Sequence, residues 1–323
     1  MSSTLFRHPL TLAALAALAC GAAQAQSSVQ AYGLIDVSVG RFETAGVQDQ
    51  GVASGKMSTS YLGFKGTEDL GGGLSAVFSI ESFLRADSGS AGRFNGDAFW
   101  ARNAFAGLSG GYGKLTVGRN TTSLFVSTLL FNAFGDSFGF SPSIRHYFTS
   151  GTVTGDTGWN NSLAYTAPSL GGLTAQVQVA GNDGTSLGRR VSAQALYFGG
   201  PLAGSFAFQQ VKAGTTAGTT TWQLGGSWDA GLAKVYGQFG KVINDSTEAT
   251  YTIGGLGAAV PVGASGKALA QYGKVGLLDK KTLSLGYDHS LSKRTDTYAV
   301  YMRDKAGAAD SDNSFAVGIR HRF

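Results

Sequence analysis

Lys281-Thr282-Leu283-Ser284-Leu285-Gly286-Tyr287-Asp288-His289-Ser290-Leu291 decides how this chain is read. Leu283, Leu285, Tyr287 and Leu291 fall on one phase of an alternation, and Thr282, Ser284, Asp288 and Ser290 fall on the other. A period of two marks a strand with unlike faces. A slip of one residue would invert both faces, so the pattern fixes register as well as element type. The alternation recurs along the chain. After Gly172, Ala175, Val177 and Val179 oppose Thr174, Gln176 and Gln178, and farther on Trp222, Leu224 and Trp228 oppose Thr221, Gln223, Ser227 and Asp229. The last segment sets Phe315, Val317, Ile319, His321 and Phe323 against Ala316, Gly318, Arg320 and Arg322.

In a soluble sandwich such apolar faces point to a core; in a membrane barrel they point to lipid, and the polar faces line a water-filled lumen. Composition favours the barrel. Charged residues make up 14% of the chain, against ~25% in ordinary soluble domains, and glycine numbers 49 against 5 prolines. No segment approaches the ~20 apolar residues of a spanning helix. The run Leu10 to Ala19, preceded by Arg7 and His8 and followed by Ala23-Gln24-Ala25, reads as an export signal with cleavage after Ala25. Residues 1–25 are therefore expected to be a signal peptide and residues 26–323 the barrel. Cleavage removes the single cysteine, Cys20, so no disulfide framework is expected. Ala17 stands where a lipoprotein signal usually carries Leu, which argues against a lipid anchor at Cys20.

Sixteen strands are expected, near 29–40, 56–66, 73–84, 98–108, 113–119, 159–167, 172–180, 189–198, 203–211, 219–229, 231–242, 249–260, 266–276, 281–290, 294–303 and 313–323. Short connections alternate with mostly longer ones, as in an outer-membrane barrel with tight turns on one side and loops on the other. An even number of strands closes the ring antiparallel and pairs every backbone group in lipid. The stretch 120–158 breaks the alternation for long enough to be a functional loop. Its six phenylalanines, Phe125, Phe131, Phe134, Phe138, Phe140 and Phe148, argue against disorder. It is expected to fold into the lumen, with its rings serving mainly as packing and an aromatic track for sugars as the rival role.

Several segments resemble the Gram-negative general porins of the neisserial and Burkholderia-type branch. They are Val29-Gln30-Ala31-Tyr32-Gly33-Leu34-Ile35-Asp36, Leu62-Gly63-Phe64-Lys65-Gly66-Thr67-Glu68-Asp69-Leu70-Gly71, Phe105-Ala106-Gly107-Leu108, Gly118-Arg119, Leu291-Ser292-Lys293-Arg294-Thr295 and Gly318-Ile319-Arg320-His321-Arg322-Phe323. The resemblance implies a sixteen-stranded homotrimer in the outer membrane, surrounded by lipid and lipopolysaccharide. It also implies that Phe323 is the residue read by the barrel-assembly machinery, and that the third extracellular loop forms a constriction.

In such porins basic wall residues face acids on the loop. The resemblance carries Arg119 and Arg102 over as wall arginines. Tyr61 and Asn160 stand where arginines are usual, and the loop carries only Asp136 and Asp156 as acids, with Arg145 and His146 adding positive charge. Arg102, Arg119, Asp136, Tyr61, Asn160 and Arg145 are thus the expected constriction residues, with Asp136 facing Arg102 and Arg119. The depleted basic cluster predicts a weak anion preference.

The expected function is passive diffusion of ions and small hydrophilic solutes. The alternatives are a structural or adhesive barrel and, less favoured, a barrel hydrolase. His146, His289 and His321 are too dispersed for a zinc motif, and no local Ser/His arrangement proposes catalysis, so neither enzyme activity nor a metal or cofactor is expected. Basic residues are scattered rather than clustered, so the net charge of +5 carries no nucleic-acid signal.

Overall fold

The computed structural model describes residues 28–182 and 187–323. The expected signal, residues 1–25 with Cys20, lies outside the described residues. The first strands are β1 (Ser28–Thr44), β2 (Val47–Ser54), β3 (Tyr61–Gly71), β4 (Leu74–Arg85), β5 (Ser90–Ala91), β6 (Asn103–Gly110) and β7 (Gly113–Thr121). Two helices follow, α1 (Ser123–Leu130) and α2 (Pro142–Phe148). The remaining wall consists of β8 (Gly158–Thr166), β9 (Leu173–Ala180), β10 (Leu187–Gly199), β11 (Leu202–Ala213), β12 (Thr219–Asp229), β13 (Lys234–Asn244), β14 (Thr250–Val262), β15 (Gly266–Val275), β16 (Lys280–Ser290), β17 (Thr295–Ala306) and β18 (Asp312–Arg322).

β5 is a two-residue fragment, and β2 with β3 makes one interrupted wall strand. The result is a closed antiparallel barrel of sixteen strands. β1 closes the ring against β18, from Leu34 opposite Arg322 to Arg41 opposite Phe315. Gly33 and Phe323 extend the seam by exchanging two backbone hydrogen bonds of 3.2 Å.

The barrel is inside-out relative to a soluble fold. On β9, Val177 is 53% exposed while its neighbour Gln178 is 1% exposed, and on β12 Leu224 is exposed while Thr221 and Gln223 are fully buried. The apolar phase faces outward and the polar phase faces the lumen, as the alternation predicts. Tyr165, Tyr197, Trp228 and Tyr287 stand exposed near the tight-turn ends of their strands, where amphipathic rings suit a membrane interface.

Two intervals depart from expectation. Residues 41–55 form a continuing β1–β2 hairpin rather than a loop, and the second wall strand resumes only at Tyr61. Between them residues 55–60 leave the ladder, because the fully buried Asp36 carboxylate accepts the Met57 and Ser58 N–H groups at 2.7 and 2.8 Å. A carboxylate here replaces the neighbouring strand as hydrogen-bond acceptor, and the chain folds inward. The strand expected from 98 starts at Asn103, since residues 98–102 belong to the preceding loop.

Leu224→Arg, on the lipid face near the middle of β12, is expected to destabilise the barrel by about 2–4 kcal/mol. Gln176→Lys, on the lumenal phase of β9, should change stability by about 1 kcal/mol or less. Urea unfolding in lipid vesicles checks both.

Candidate channel constriction

Beyond β7 the chain leaves the wall and enters the lumen. α1 begins at Thr122, whose hydroxyl accepts the Phe125 N–H, and α2 begins at Ser141, whose hydroxyl accepts the Ile144 N–H, followed by Pro142. Both are N-cap arrangements. Asn132 ties the helices together: its amide donates to the Thr128 and Gly135 carbonyls, each at 2.8 Å, and its oxygen accepts from Phe134 N–H and Ser141 Oγ.

The helices dock on the β9–β16 wall, and the segment between them continues onto β17 and Met57, by three means. Leu124 and Tyr147 pack on Ala207, Val242, Ile253 and Val275, while Phe134 and Phe140 pack on Met57, Leu269 and Val300. Polar pairs interlock with this packing. Ser127 Oγ meets Ser205 Oγ at 2.6 Å and donates to Gln223 at 2.7 Å, Gln238 donates to the Thr128 carbonyl at 2.7 Å, and Ser284 donates to the Phe140 carbonyl at 2.6 Å. Lumenal glycines supply recesses for the loop's rings: a Cβ at Gly225 would lie 2.9 Å from Phe131, and one at Gly273 would lie 2.9 Å from His146.

His146 is fully buried, with Nε2 2.8 Å from Thr282 Oγ1. Burial pushes its pKa down to about 3, opposed by the Asp304 carboxylate and reinforced by Lys280 and Arg145, so the imidazole is neutral. The return leg of the loop is held by charge. Asp156 accepts two hydrogen bonds from Arg93, at 2.8 and 3.0 Å, and one from Arg119 at 2.5 Å. Burial alone would raise the Asp156 carboxyl, but the bonds from Arg93 and the charges of Arg93 and Arg119 hold it below the usual carboxylate range.

The expected site residues separate into three groups. Arg102 lies over the Tyr61 ring, 4.1 Å from its centroid, and pairs with Glu81. Arg102 and Asp136 line one cavity of about 420 Å³ with Phe83, Arg93, Phe125 and Phe138, and Asp136 accepts from Ser58 Oγ at 2.9 Å. Arg119 and Asn160 sit apart. Alternation from Leu115 and Val117 would send Arg119 outward, but the ladder shifts register between Gly118 and Asn120, opposite Asn160 and Asn161. There Gly118 takes φ +132° and Asn161 φ +51°, a bulge that re-aims the side chain. The Arg119 guanidinium then binds the Ala101 carbonyl, Asn160 Oδ1 and Asp156. It faces Asp156 rather than Asp136 and is not among the residues lining the cavity. Arg145 pairs with Asp304 at 2.9 Å and lines a second cavity toward the loop end of the barrel.

Other lumenal charges complete the picture. Arg320 binds Asp288 and Asp296, Arg322 binds Asp296, and both arginines line a smaller cavity on another side of Asp136. Alternation already put both on the polar phase. Arg93, by contrast, lies in a loop without periodicity, where no sequence signal marks it.

A closed barrel with polar lumen and docked internal loop defines a channel-forming outer-membrane protein. The family model of Gram-negative porins matches residues 11–309. The chain belongs to the Gram-negative porin family; it is an outer-membrane protein and a channel rather than an enzyme. It is similar to outer membrane porin protein 32 of Delftia acidovorans, with 34% identity over 97% of this chain and 99% of the relative. It is also similar to an outer membrane porin protein of Bordetella pertussis, with 29% identity over 98% of this chain and all of the relative. The solved anion-selective porin from Comamonas acidovorans superposes with a TM-score of 0.78 at 29% identity, over 92% of this chain and all of that one.

Docking of α2 should weaken with acid. A docked His146 stays neutral down to about pH 3, whereas an undocked histidine takes up a proton near pH 6.5. The undocked form therefore binds more protons between these values, and docking, complete above about pH 6.5, is lost progressively as pH falls toward 3. Hydrogen exchange of residues 142–148, corrected for intrinsic rates, should show this, and His146→Gln should flatten the dependence.

Proposed function

We propose that the lumen is a water-filled diffusion path for ions and small hydrophilic solutes, narrowed by residues 120–158, in a protein that assembles as a homotrimer. The observation that carries this reading is the one-sided docking of the loop. Its helices pack on the β9–β16 wall, and the cavities lined by Arg102 and Arg145 lie beside residues 54–59 and 83–94 and share Thr59, Arg93 and Phe138. Arg102, in the last loop position before β6 rather than in the wall strand expected for it, and Asp136 on the internal loop supply opposite charges at one cavity, the arrangement that orients polar solutes in a pore.

The proposed selectivity is a weak anion preference. Glu81, Asp156 and Asp304 pair with Arg102, Arg93 and Arg145, which reduces the positive field, and Tyr61 and Asn160 are neutral. The name of the anion-selective Comamonas relative supports the sign. Residues 1–25 fit an export signal. Phe323 closes the barrel through its backbone while its ring stays exposed, which suits a terminal residue read by the assembly machinery. Outer-membrane lipid and lipopolysaccharide are the surroundings proposed for the apolar wall.

Purified protein in planar bilayers should give conductance steps in groups of three, and no conductance above background would contradict a channel. Reversal potentials in a salt gradient should show a modest anion preference. Arg102→Gln should lower the anion-to-cation permeability ratio roughly twofold, equivalent to about 0.4 kcal/mol.

A further inference from the structure

The loop-side cavity of about 420 Å³ combines two features that simple ion conduction does not need. Its cations include Lys56 and Arg85, and among the described residues neither forms an ion pair. The Lys56 ammonium lies over the Phe42 ring, 4.5 Å from its centroid, and feels Asp49 and Asp87 only at longer range. Arg85 donates to the neutral Asn95 at 2.7 Å. Rings line the same space: Phe42, Phe94 and Phe138, with the buried Phe140 behind them. Phe138 continues into the deeper cavity, where it stacks on Phe125 with centroids 6.0 Å apart and an interplanar angle of 27°. Arg93, between Phe83 and Phe94 at 4.9 and 5.5 Å, also borders both cavities.

We propose that these two cavities form a binding lane for aromatic carboxylates, the carboxylate meeting Lys56 and Arg85 and the ring lying against Phe138 and Phe94. The proposal rests on the lumen being an open diffusion path and names the solute class it favours. A sugar would use the same rings but needs acceptors for its hydroxyls. Among the described residues the carboxylates bordering the lane are both engaged: Glu43 at the first cavity accepts the Asn313 N–H at 2.9 Å and pairs with Arg41, and Asp136 at the deeper one accepts from Ser58 Oγ at 2.9 Å, which leaves mainly neutral hydroxyls such as that of Thr59 as acceptors. The lysine and arginine groups donate only. An inorganic anion would use the cations and leave the rings idle. Each cavity falls within the ~300–1,000 Å³ range that holds small organic ligands.

The test is current block by benzoate, acetate, benzamide and maltose, each added to the wild-type channel in a planar bilayer in dilute potassium chloride. Half-block by benzoate should need a concentration roughly fivefold lower than acetate or benzamide requires, since both charge and ring contribute. Phe138→Leu, which keeps an apolar side chain but removes the flat face, should abolish the preference of benzoate over acetate. Lys56→Gln should weaken block by both anions, and Arg85→Gln and Phe94→Leu repeat the two tests at positions outside the packed loop. Equal block by benzoate and acetate, or a preference untouched by every one of these variants, overturns the lane while the channel reading stands. Stronger block by maltose makes the rings a sugar track and also overturns it. A wild-type bilayer without conductance overturns both readings.

Discussion

No backbone N–H or C=O can be left unpaired in hydrocarbon, and the seam between β1 and β18 is where this chain meets that constraint. Without it two strand edges would lie open in lipid. With it the wall is complete, apolar side chains can face outward, and the polar phase of every strand must line the interior. A lumen lined this way offers Ser, Thr and Gln to anything that enters it, so an internal loop has to bind by hydrogen bonds as well as by packing.

The 120–158 segment meets both demands. Ser127 and the Thr128 carbonyl of α1 and the Phe140 carbonyl just before α2 match lumenal Ser205, Gln223, Gln238 and Ser284, while its rings occupy spaces left by lumenal glycines. The wall yields to the loop elsewhere too. Residues 55–60 fold inward on Asp36, and the Lys56 carbonyl accepts from Gly139 N–H at 3.0 Å and Ser137 Oγ at 2.7 Å. Asp156 anchors the far end to Arg93 and Arg119. These pairs are only partly buried, yet two arginines share one carboxylate, so the charges act on loop position as well as on passing ions.

The barrel was legible in the sequence because alternation is a local signal repeated sixteen times, and the strands from β9 to β18 show it with little interruption. The break at 55–60 was not legible, since it depends on the side chain of Asp36, some twenty positions earlier. The site was read unevenly. The resemblance sets Arg102 against Asp136, and the two line one cavity. The turning of Arg119 toward Asp156 depends on a bulge between two strands, and bulges leave no periodic trace. Arg93 was missed because it lies in an aperiodic loop. The phenylalanines divide as well: Phe131, Phe134 and Phe140 are buried packing, whereas Phe125 and Phe138 also face the open cavity.

The central claim is that the helices of the loop stay docked on the β9–β16 wall while the channel remains open beside them. Ser127→Cys combined with Ser205→Cys tests it most directly, because the two hydroxyls lie 2.6 Å apart and the only natural cysteine, Cys20, falls within the expected signal. The account predicts that the pair oxidises readily to a disulfide and that the cross-linked protein conducts like the reduced one. Failure to cross-link, or a disulfide that closes the channel, would contradict it.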